Sequence, residues 1–384
     1  MTTGPLAGVK VIEFAGIGPA PMCAMLLADL GATVLRLDKA GPPTAGIHRP
    51  LKYNLVLRNR QSITVDLKSA EGVAFVMELA QDADAIIEGF RPGTMEKLGL
   101  GPDDFSKINP KLVYGRMTGW GQDGPYAKMA GHDLNYIALT GALHAIGRKG
   151  QAPTPPLNLV GDYGGGSLYL AFGLVSAILS ARTTGVGQVV DAAMVDGAAS
   201  LMTSFFGLNA GSMFSPERGT NILDSGAPYY DTYECADGKY LAVAPIEEKF
   251  RSVFFQRLGL DANAFDNSPA GHEKMRTDIA GILMTRPQAE WAAVFDDTDA
   301  CVAPVLSMDE APHHAHNMAR KTFIDIDGVV QPAPAPRFSA TPAATPTPPK
   351  PANHDVPAAL SAWGMNDGQI KKWLANKEIG QNNS

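Results

Sequence analysis

The sequence predicts an α/β protein with a parallel β-sheet in its large domain and a smaller α+β domain after it. Three observations lead to this prediction. Strand-like apolar segments alternate with helix-length segments over the first 120 residues, and after about residue 225 the pattern changes to paired β-like runs. The chain has 384 residues, which suits two domains at roughly 100–200 residues each. Strands separated by helices are typical of βαβ units, whose strands run parallel.

The predicted elements of the large domain follow from apolar runs and their boundaries. The predicted strands cover residues 9–14, 32–37, 62–67, 85–88 and 112–117. The predicted helices cover 22–29, a segment from Ser69 to Leu79 and a longer segment from near Asp162 to Arg182. Ser69 is expected to cap its helix because a serine hydroxyl accepts a hydrogen bond from a first-turn N–H group.

The second half of the chain predicts a small domain and a return to the large one. Two β-like runs, 230–235 and 239–244, flank a turn signal at Ala236-Asp237-Gly238, and helical segments follow near 249–258 and 287–296. Nine prolines in the 26 residues 332–357 exclude a helix, and a short helix is expected at 367–377. We expect a large domain at 1–192 completed by about 335–384, a linker at 193–225, a small domain at 226–310 and a return linker at 311–334.

Composition excludes several functional classes. The chain is 45% hydrophobic and 18% charged with a net charge of −7, so we expect no nucleic-acid partner. Cys23, Cys235 and Cys301 are too widely spaced for a CxxC metal motif and fit reduced thiols in the cytoplasm. The longest apolar run, 168–179, is 12 residues, short of the roughly 20 that span a bilayer. We therefore expect a buried helix there, no membrane association and no metal site.

A glycine-containing turn follows the first strand. Gly16-Ile17-Gly18 opens a helix, and Asp38 ends the next strand, as in a dinucleotide-binding fingerprint. The third glycine is absent, and Pro19 and Pro21 lack the N–H groups that would bind a pyrophosphate. A tight βα turn is the simpler interpretation.

Several basic residues flank the predicted strands and are candidates for binding an anion. Lys39, Lys68 and Arg91 follow strands, where the ligand crevice of a parallel sheet lies. Lys97 comes slightly later, whereas Arg58 and Arg60 precede a strand and need a loop to fold back. Ordinary solvated surface charges are the alternative interpretation.

Two motifs carry candidate acid–base residues. His132 lies in the segment Gly131–Tyr136, after a glycine-rich loop, and Asp162 precedes an apolar helix whose start contains three glycines. Asp162 is expected at the N-cap, and the glycines suggest close approach of backbone or ligand. Helix N–H groups there could stabilise an oxyanion. A structural histidine and a capping aspartate remain the alternatives.

These segments resemble a known family. The resemblance lies in residues 4–38 (GPLAGVKVIEFAGIGPAPMCAMLLADLGATVLRLD), RNRQSITVDLKS, EGFRPG, GWGQDGP, GHDLNY, NLVGDYGGGS and GQVVDAAMVDG. They are similar to the family III CoA-transferases, which include the α-methylacyl-CoA racemases, and the match covers about 4–340. The resemblance implies a Rossmann-like large domain, a small domain and an interlocked homodimer whose active site lies between protomers.

The resemblance also implies roles for individual residues. In transferases the aspartate at position 162 is the nucleophile; the racemase pattern adds His132 and a glutamate that we map to Glu247, with Glu248 one step away. The implied activity interconverts (2R)- and (2S)-2-methylacyl-CoA thioesters through an enolate, with coenzyme A as part of the substrate and no separate cofactor. A CoA-transferase using Asp162 and a non-catalytic acyl-CoA-binding module are the alternatives. The expected contacts with CoA are Lys39, Arg58, Arg60, Val65, Asp66, Leu67, Lys68, Gly89, Phe90, Arg91, Lys97, Gly131, His132, Asp133, Leu134, Asn135 and Tyr136.

Overall fold

A computed structural model describes residues 3–41, 46–261 and 266–380. Its β-strands are β1 (Lys10–Phe14), β2 (Thr33–Asp38), β3 (Gln61–Thr64), β4 (Ala85–Glu88), β5 (Val113–Thr118), β6 (Val189–Ala193), β7 (Asp231–Glu234), β8 (Tyr240–Val243), β9 (Val302–Pro304), β10 (Phe323–Ile326) and β11 (Val329–Pro332).

The first half of the chain carries the helices α1 (Pro19–Asp29), α2 (Ala70–Ala80), α3 (Thr94–Lys97), α4 (Pro102–Ser106), α5 (Asp133–Ala138), α6 (Ala142–Ala145), a π-helical segment (Leu159–Leu168), α7 (Tyr169–Thr184) and α8 (Met194–Leu201). The second half carries α9 (Thr203–Ala210), α10 (Glu248–Leu258), α11 (Pro269–Leu283), α12 (Gln288–Phe295), α13 (Ala315–Arg320), α14 (Val356–Trp363) and α15 (Asp367–Leu374).

The chain divides into two compact units. The large unit contains the chain up to Thr140, then Leu157–Leu201, and the chain from Ala319 onward. The small unit contains Gly141–Pro156 and Met202–Met318. The small unit therefore begins earlier than the 226–310 segment expected from the sequence. The expected linker at 193–225 is divided between the two units after Leu201, and the expected return linker at 311–334 is divided after Met318.

The large unit is built on the parallel sheet that the sequence predicts. Its six strands run in the order β3-β2-β1-β4-β5-β6, and every neighbouring pair is parallel. Strand order reverses between β1 and β4, and ligands of such sheets bind beyond the carboxyl ends of the strands at this switch point. Five of the strands were predicted; β6 was not, because its Asp191 interrupts a short apolar run.

Two apolar layers cover the sheet. Ile12, Phe14 and Ile86 face one layer with α2, while Val11 and Ile87 face the other with α1 and α7. The alternation along β1 and β4 follows from the period of two of a β-strand. Ser69 accepts a hydrogen bond from the Gly72 N–H at 2.9 Å, which confirms the predicted cap of α2.

The C-terminal part of the chain completes the first layer. Trp363 is buried in it and donates from Nε1 to the carbonyl of Leu79 at 3.1 Å. Before α14 the proline-rich segment contains no helix or strand from residue 333 to 355, as predicted. The predicted exclusion of a helix up to residue 357 is wrong at its end, because Val356 and Pro357 begin α14, where proline is tolerated in the first turn. The proline-rich segment is tied to β3 through Asn353, whose amide bonds the Thr64 hydroxyl at 2.9 Å. An extended strap of this kind gains stability from such anchoring bonds rather than from a core of its own.

The long helix of the large unit begins earlier than predicted. It starts at Leu159 with a π-helical segment, so Asp162 lies inside its first turn and is not the N-cap. The Tyr163 N–H donates to the Asn158 carbonyl at 3.3 Å, the five-residue spacing of a π-helix.

Only one side of this helix is buried, contrary to the expectation of a buried helix. Leu170 and Leu174 pack into the core, whereas Phe172 is 75% and Leu179 68% exposed. From Leu159 to Thr184 the helix is long and apolar enough to cross a membrane, but many of its residues pack inside the protein, as in core helices of soluble proteins.

The small unit has its own antiparallel sheet, ordered β7-β8-β9. The predicted hairpin is confirmed by β7 and β8 around the Asp237-Gly238 turn, and α10 and α12 match the predicted helices. The sequence prediction missed α11 and β9. The core of this unit includes Phe254, Ile279 and Trp291.

Candidate active site

Asp162 lies beside the turn that follows β1. Its Oδ2 accepts a hydrogen bond from Asn158 Nδ2 at 3.1 Å. A Cβ atom added to Gly18 would lie 3.0 Å from the same oxygen, and Gly18 has a φ of 66°. Glycine is therefore required here both for the backbone conformation and for the approach of the carboxylate. The Gly16–Gly18 turn thus makes room for Asp162 rather than carrying a dinucleotide fingerprint.

Partial burial raises the pKa of Asp162 above that of an ordinary carboxyl group. The hydrogen bond from Asn158 opposes this shift, the negative charge of Asp133 adds to it, and a charge on His132 lowers it. A raised pKa means that this carboxyl group binds a proton more readily than an ordinary carboxylate, which suits a group that both takes up and returns a proton.

Asp133 fixes the backbone at Asp162. Its Oδ2 accepts the Asp162 N–H at 2.6 Å, and its Oδ1 is buried without a hydrogen-bond partner in the described chain. A Cβ on Gly161 would lie 2.5 Å from Asp133 Oδ2, so only glycine allows this contact. The sequence suggested that helix N–H groups at Asp162 could stabilise an oxyanion. The N–H of Asp162 itself is not free to do so, because it bonds Asp133.

His132 is exposed and directly precedes α5. Its backbone N–H donates to Asn135 Oδ1 at 3.1 Å, and the Tyr136 hydroxyl donates to the Gly131 carbonyl. These bonds fold the Gly131–Tyr136 segment into a defined turn and leave the imidazole facing solvent. The influence of His132 on the pKa of Asp162 shows that the two candidate acid–base residues lie near each other.

The glycines after Asp162 allow two helices to cross closely. A Cβ on Gly165 would lie 2.6 Å from the backbone nitrogen of Ala198 on α8, and one on Gly166 would lie 2.9 Å from Pro19 Cβ. The expectation of a close approach is confirmed for backbone. This crossing holds the segment that carries Asp162 against α1 and α8.

The chain has clear relatives among known proteins. The family model described as CoA-transferase family III matches residues 6–356.

The chain belongs to the family III CoA-transferases.

Individual relatives place it more closely. It is 43% identical to the α-methylacyl-CoA racemase of Mus musculus over 341 residues, covering 88% of this chain and 87% of that protein. It is 41% identical to the α-methylacyl-CoA racemase of Homo sapiens over 343 residues, covering 88% and 87%. A CAIB/BAIF family protein from Brucella suis has a similar structure, with a TM-score of 0.79 and 26% identity over 94% of this chain and 99% of that one.

In this family III chain, four basic candidates are exposed in the large unit. Lys39 follows β2, Lys68 follows β3, Arg91 follows β4, and Lys97 ends α3. Arg91 lies close enough to Tyr136 that its charge opposes the rise in the pKa of that phenol, which burial and Asp162 bring to about 12. Arg91 is therefore near the segment that carries His132.

Arg58 and Arg60 differ from these four because they are buried. Arg58 donates from Nε to Asp29 at 3.1 Å and from Nη1 to the Pro332 carbonyl at 2.8 Å. Arg60 donates from Nη1 to Glu13 at 2.7 Å. Their guanidinium groups bond carboxylates of the protein, and the CoA contacts expected of them stay a prediction.

The remaining expected CoA contacts have mixed environments. Val65 is buried, and its backbone forms a bridge to Ile379 of the C-terminal tail. Asp66 and Leu134 are exposed, Leu67 is half-buried, and Gly89 and Phe90 connect β4 to Arg91. The backbone just after β3 is thus partly paired with the C-terminal tail. No local sequence pattern predicts this contact.

Glu247 belongs to the small unit. It is exposed and directly precedes α10, whose first residue is Glu248. Burial raises the pKa of the Cys301 thiol, and the charge of Glu247 contributes, so these two side chains are neighbours. Within the described residues, no group of three or more His, Cys, Asp or Glu side chains is arranged to hold a metal ion.

Proposed function

We propose that this protein is a racemase of 2-methylacyl-CoA thioesters, interconverting the 2R and 2S forms. The observation that carries the proposal is the pairing of Asp162, whose pKa is raised by burial, with the exposed His132 nearby. Two proton carriers of different chemistry that lie near each other suit a reaction that moves a proton on one carbon. The similarity to two proteins named α-methylacyl-CoA racemase supports the same activity.

The proposed reaction proceeds through a planar enolate. One residue removes the α-proton from one face, and the other returns a proton to the opposite face. Asp162 is proposed to act on the R substrate and His132 on the S substrate. Because the pKa of Asp162 is raised, it can also serve as the acid when His132 is the base. The positive end of the helix that begins at Leu159 would favour charge on the thioester oxygen.

Coenzyme A binds as part of the substrate in this proposal, and no separate cofactor is required. Lys39, Lys68, Arg91 and Lys97 are exposed after successive elements of the sheet and would contact its phosphates. The Gly131–Tyr136 segment, Val65–Leu67 and Gly89–Phe90 would line the rest of the CoA path. Arg58 and Arg60 would stabilise the fold beneath this surface through their ion pairs with Asp29 and Glu13.

We further propose that the chain acts as a homodimer in the cytoplasm, without a membrane or nucleic-acid partner. An apolar stripe on the helix through α7 supports the dimer: Leu168, Phe172, Val175 and Leu179 are all exposed on one side of it. Exposed apolar patches of this kind mark protein interfaces. A chain with a net charge of −7 does not offer a broad surface for nucleic acid.

The dimer gives Glu247 a testable role. We propose that Glu247 supports the protonated form of His132 across the dimer, from the other protomer. Mixed dimers of His132→Ala and Glu247→Ala protomers would then contain one intact site and regain about half the wild-type activity. If both residues act within one protomer, every site in the mixed dimer is damaged and no activity returns.

One experiment separates the racemase from its closest rival. The wild-type protein is incubated in D₂O with (2R)-2-methyldecanoyl-CoA and a free carboxylic acid as acceptor. We expect loss of optical purity and deuterium at C2, with no thioester formed on the acceptor. Transfer of CoA to the acceptor without exchange at C2 would establish a CoA-transferase using Asp162 as nucleophile. Binding without either reaction would indicate a non-catalytic module.

A further inference from the structure

A buried arginine connects three segments at the carboxyl end of the large sheet. Arg116, on β5, donates from Nη1 to Gln122 Oε1 at 2.6 Å and from Nη2 to Glu96. Its Nε lies 3.9 Å from Glu88 Oε1. Glu88 ends β4, Glu96 lies on α3, and Gln122 lies in the glycine-rich loop after β5. One guanidinium therefore links the end of β4, helix α3 and the loop after β5.

The chain between Glu88 and Glu96 carries Arg91. Glu88 Oε2 accepts the Phe90 N–H at 2.7 Å, immediately before Arg91. Glu96 is anchored to Arg116 on the other side. The exposed Arg91 thus lies on a short segment whose two ends, the buried Glu88 and the exposed Glu96, both pair with Arg116. The side chain of Arg91 takes no part in these two ion pairs.

We propose that Arg116 is a positioning residue for the CoA phosphates, which holds the Gly89–Met95 segment at both ends through Glu88 and Glu96. The inference rests on the proposed function, because it takes Arg91 as a phosphate contact. Arg116 itself is buried, so its role in this proposal is to act through Arg91. A bidentate donor is needed for this role because a lysine ammonium cannot span two acceptors in a fixed fork.

The protonation state of Glu88 should make the positioning of the Gly89–Met95 segment sensitive to pH. Burial raises the pKa of Glu88 to about 7, the Phe90 N–H and Arg116 lower it, and Glu96 and Asp191 raise it. Tyr114 also faces this carboxyl group, and its own pKa is raised. The carboxylate is charged above about pH 7, where it bonds Phe90 and attracts Arg116 more strongly than the protonated form does. Affinity for CoA thioesters should therefore fall as pH drops through 7.

The test has two measurements. A binding titration with acetyl-CoA does not require racemisation, and steady-state kinetics follow the racemisation of 2-methyldecanoyl-CoA. Arg116→Met should raise the dissociation constant about 10-fold, as expected for a weakened charge-assisted contact, while kcat at saturation changes by less than about 3-fold. Arg116→Lys should recover only part of the loss. Arg91→Ala should add little in the Arg116→Met background, since both changes remove the same contact. Lys107→Met, at an exposed pair with Asp104, is the control and should leave binding unchanged.

Glu88→Gln provides an independent measurement if Arg116→Met fails to fold. It should flatten the change in dissociation constant between pH 6 and 8, relative to the wild type at each pH. An unchanged dissociation constant in folded Arg116→Met, or an unchanged pH profile in Glu88→Gln, would overturn the inference. If Arg91→Ala alone leaves binding intact, the phosphate contact in the proposed function fails instead. The two failures are therefore distinguishable.

Discussion

Glu13 and Asp162 are two carboxylates of the large unit, one buried and one half-buried, and they differ in the charge of the groups that bond them. Both oxygens of Glu13 are bonded by guanidinium groups, Oε1 by Arg36 at 2.6 Å and Oε2 by Arg60 at 2.7 Å. Asp162 is bonded by the neutral amide of Asn158 and lies near a second carboxylate, Asp133. Neutralised charge makes Glu13 a structural element. Charge left without a bonded cation makes Asp162 ready to exchange a proton.

The same contrast separates the basic residues. Arg60 is buried in the Glu13 cluster, whereas Arg91 is exposed after β4. The sequence places both beside strands and gives them equal standing as anion ligands. Their burial assigns one to the stability of the fold and leaves the other available for a ligand. Mutations that distinguish stability from affinity therefore test the comparison directly.

The largest expected effect on stability is at the buried cluster. Arg60→Ala leaves Glu13 buried with half of its partners, and breaking a buried pair in this way costs about 3–5 kcal/mol. Chemical denaturation should show this loss in the free energy of unfolding. A variant of wild-type stability that binds acetyl-CoA more weakly would instead show that Arg60 is a phosphate ligand.

The next effect is on affinity and leaves stability unchanged. Arg91→Ala should weaken acetyl-CoA binding by about 1–3 kcal/mol, the range for a hydrogen bond to a charged group. Its free energy of unfolding should stay within about 0.5 kcal/mol of the wild type, as for most surface substitutions. Calorimetric titration and denaturation of the same preparation check both values. Equal affinity in the two proteins would remove Arg91 from the site.

The smallest expected effect is on the free energy of unfolding, which the charged form of Asp162 should lower. Its pKa is raised in the folded protein, so the folded state binds its proton more readily than the unfolded state does. Stability is therefore lost as pH rises through the interval between the two pKa values. Asp162→Asn should unfold at a higher temperature than the wild type at pH 8, and the difference should shrink below pH 4. A less stable variant at pH 8 would contradict the assignment.

Sequence patterns predicted most of the large sheet because its strands are short apolar runs with local boundaries. The same patterns located His132 and Asp162 through their motifs. They could not assign Arg60, because its partner Glu13 is 47 positions away and only the folded sheet brings the two together. They also placed the helix start at Asp162, because the local sequence does not show that the Asp162 N–H donates a hydrogen bond to Asp133 in another element.

The role of Glu88 was missed for a related reason. A glutamate at the end of an apolar strand is indistinguishable in sequence from a solvated one, and only the packing around β4 shows that it is buried beside Arg116. A local signal did exist for the glycines at 164–166, whose number within one helical turn indicated a close crossing. That signal was confirmed by the contact of Gly165 with α8.

The central claim is that Asp162 and His132 serve opposite faces of one enolate, and exchange at C2 tests it most directly. His132→Ala and Asp162→Ala are each incubated in D₂O with (2R)- and (2S)-2-methyldecanoyl-CoA. Both should lose racemisation by about 10²–10⁴-fold, since every turnover uses both residues. His132→Ala should retain deuterium exchange mainly with the R substrate, Asp162→Ala mainly with the S substrate, and both products should keep their configuration. Racemisation by His132→Ala at close to the wild-type rate, or a covalent aspartyl intermediate on Asp162 in the wild type, would contradict the account.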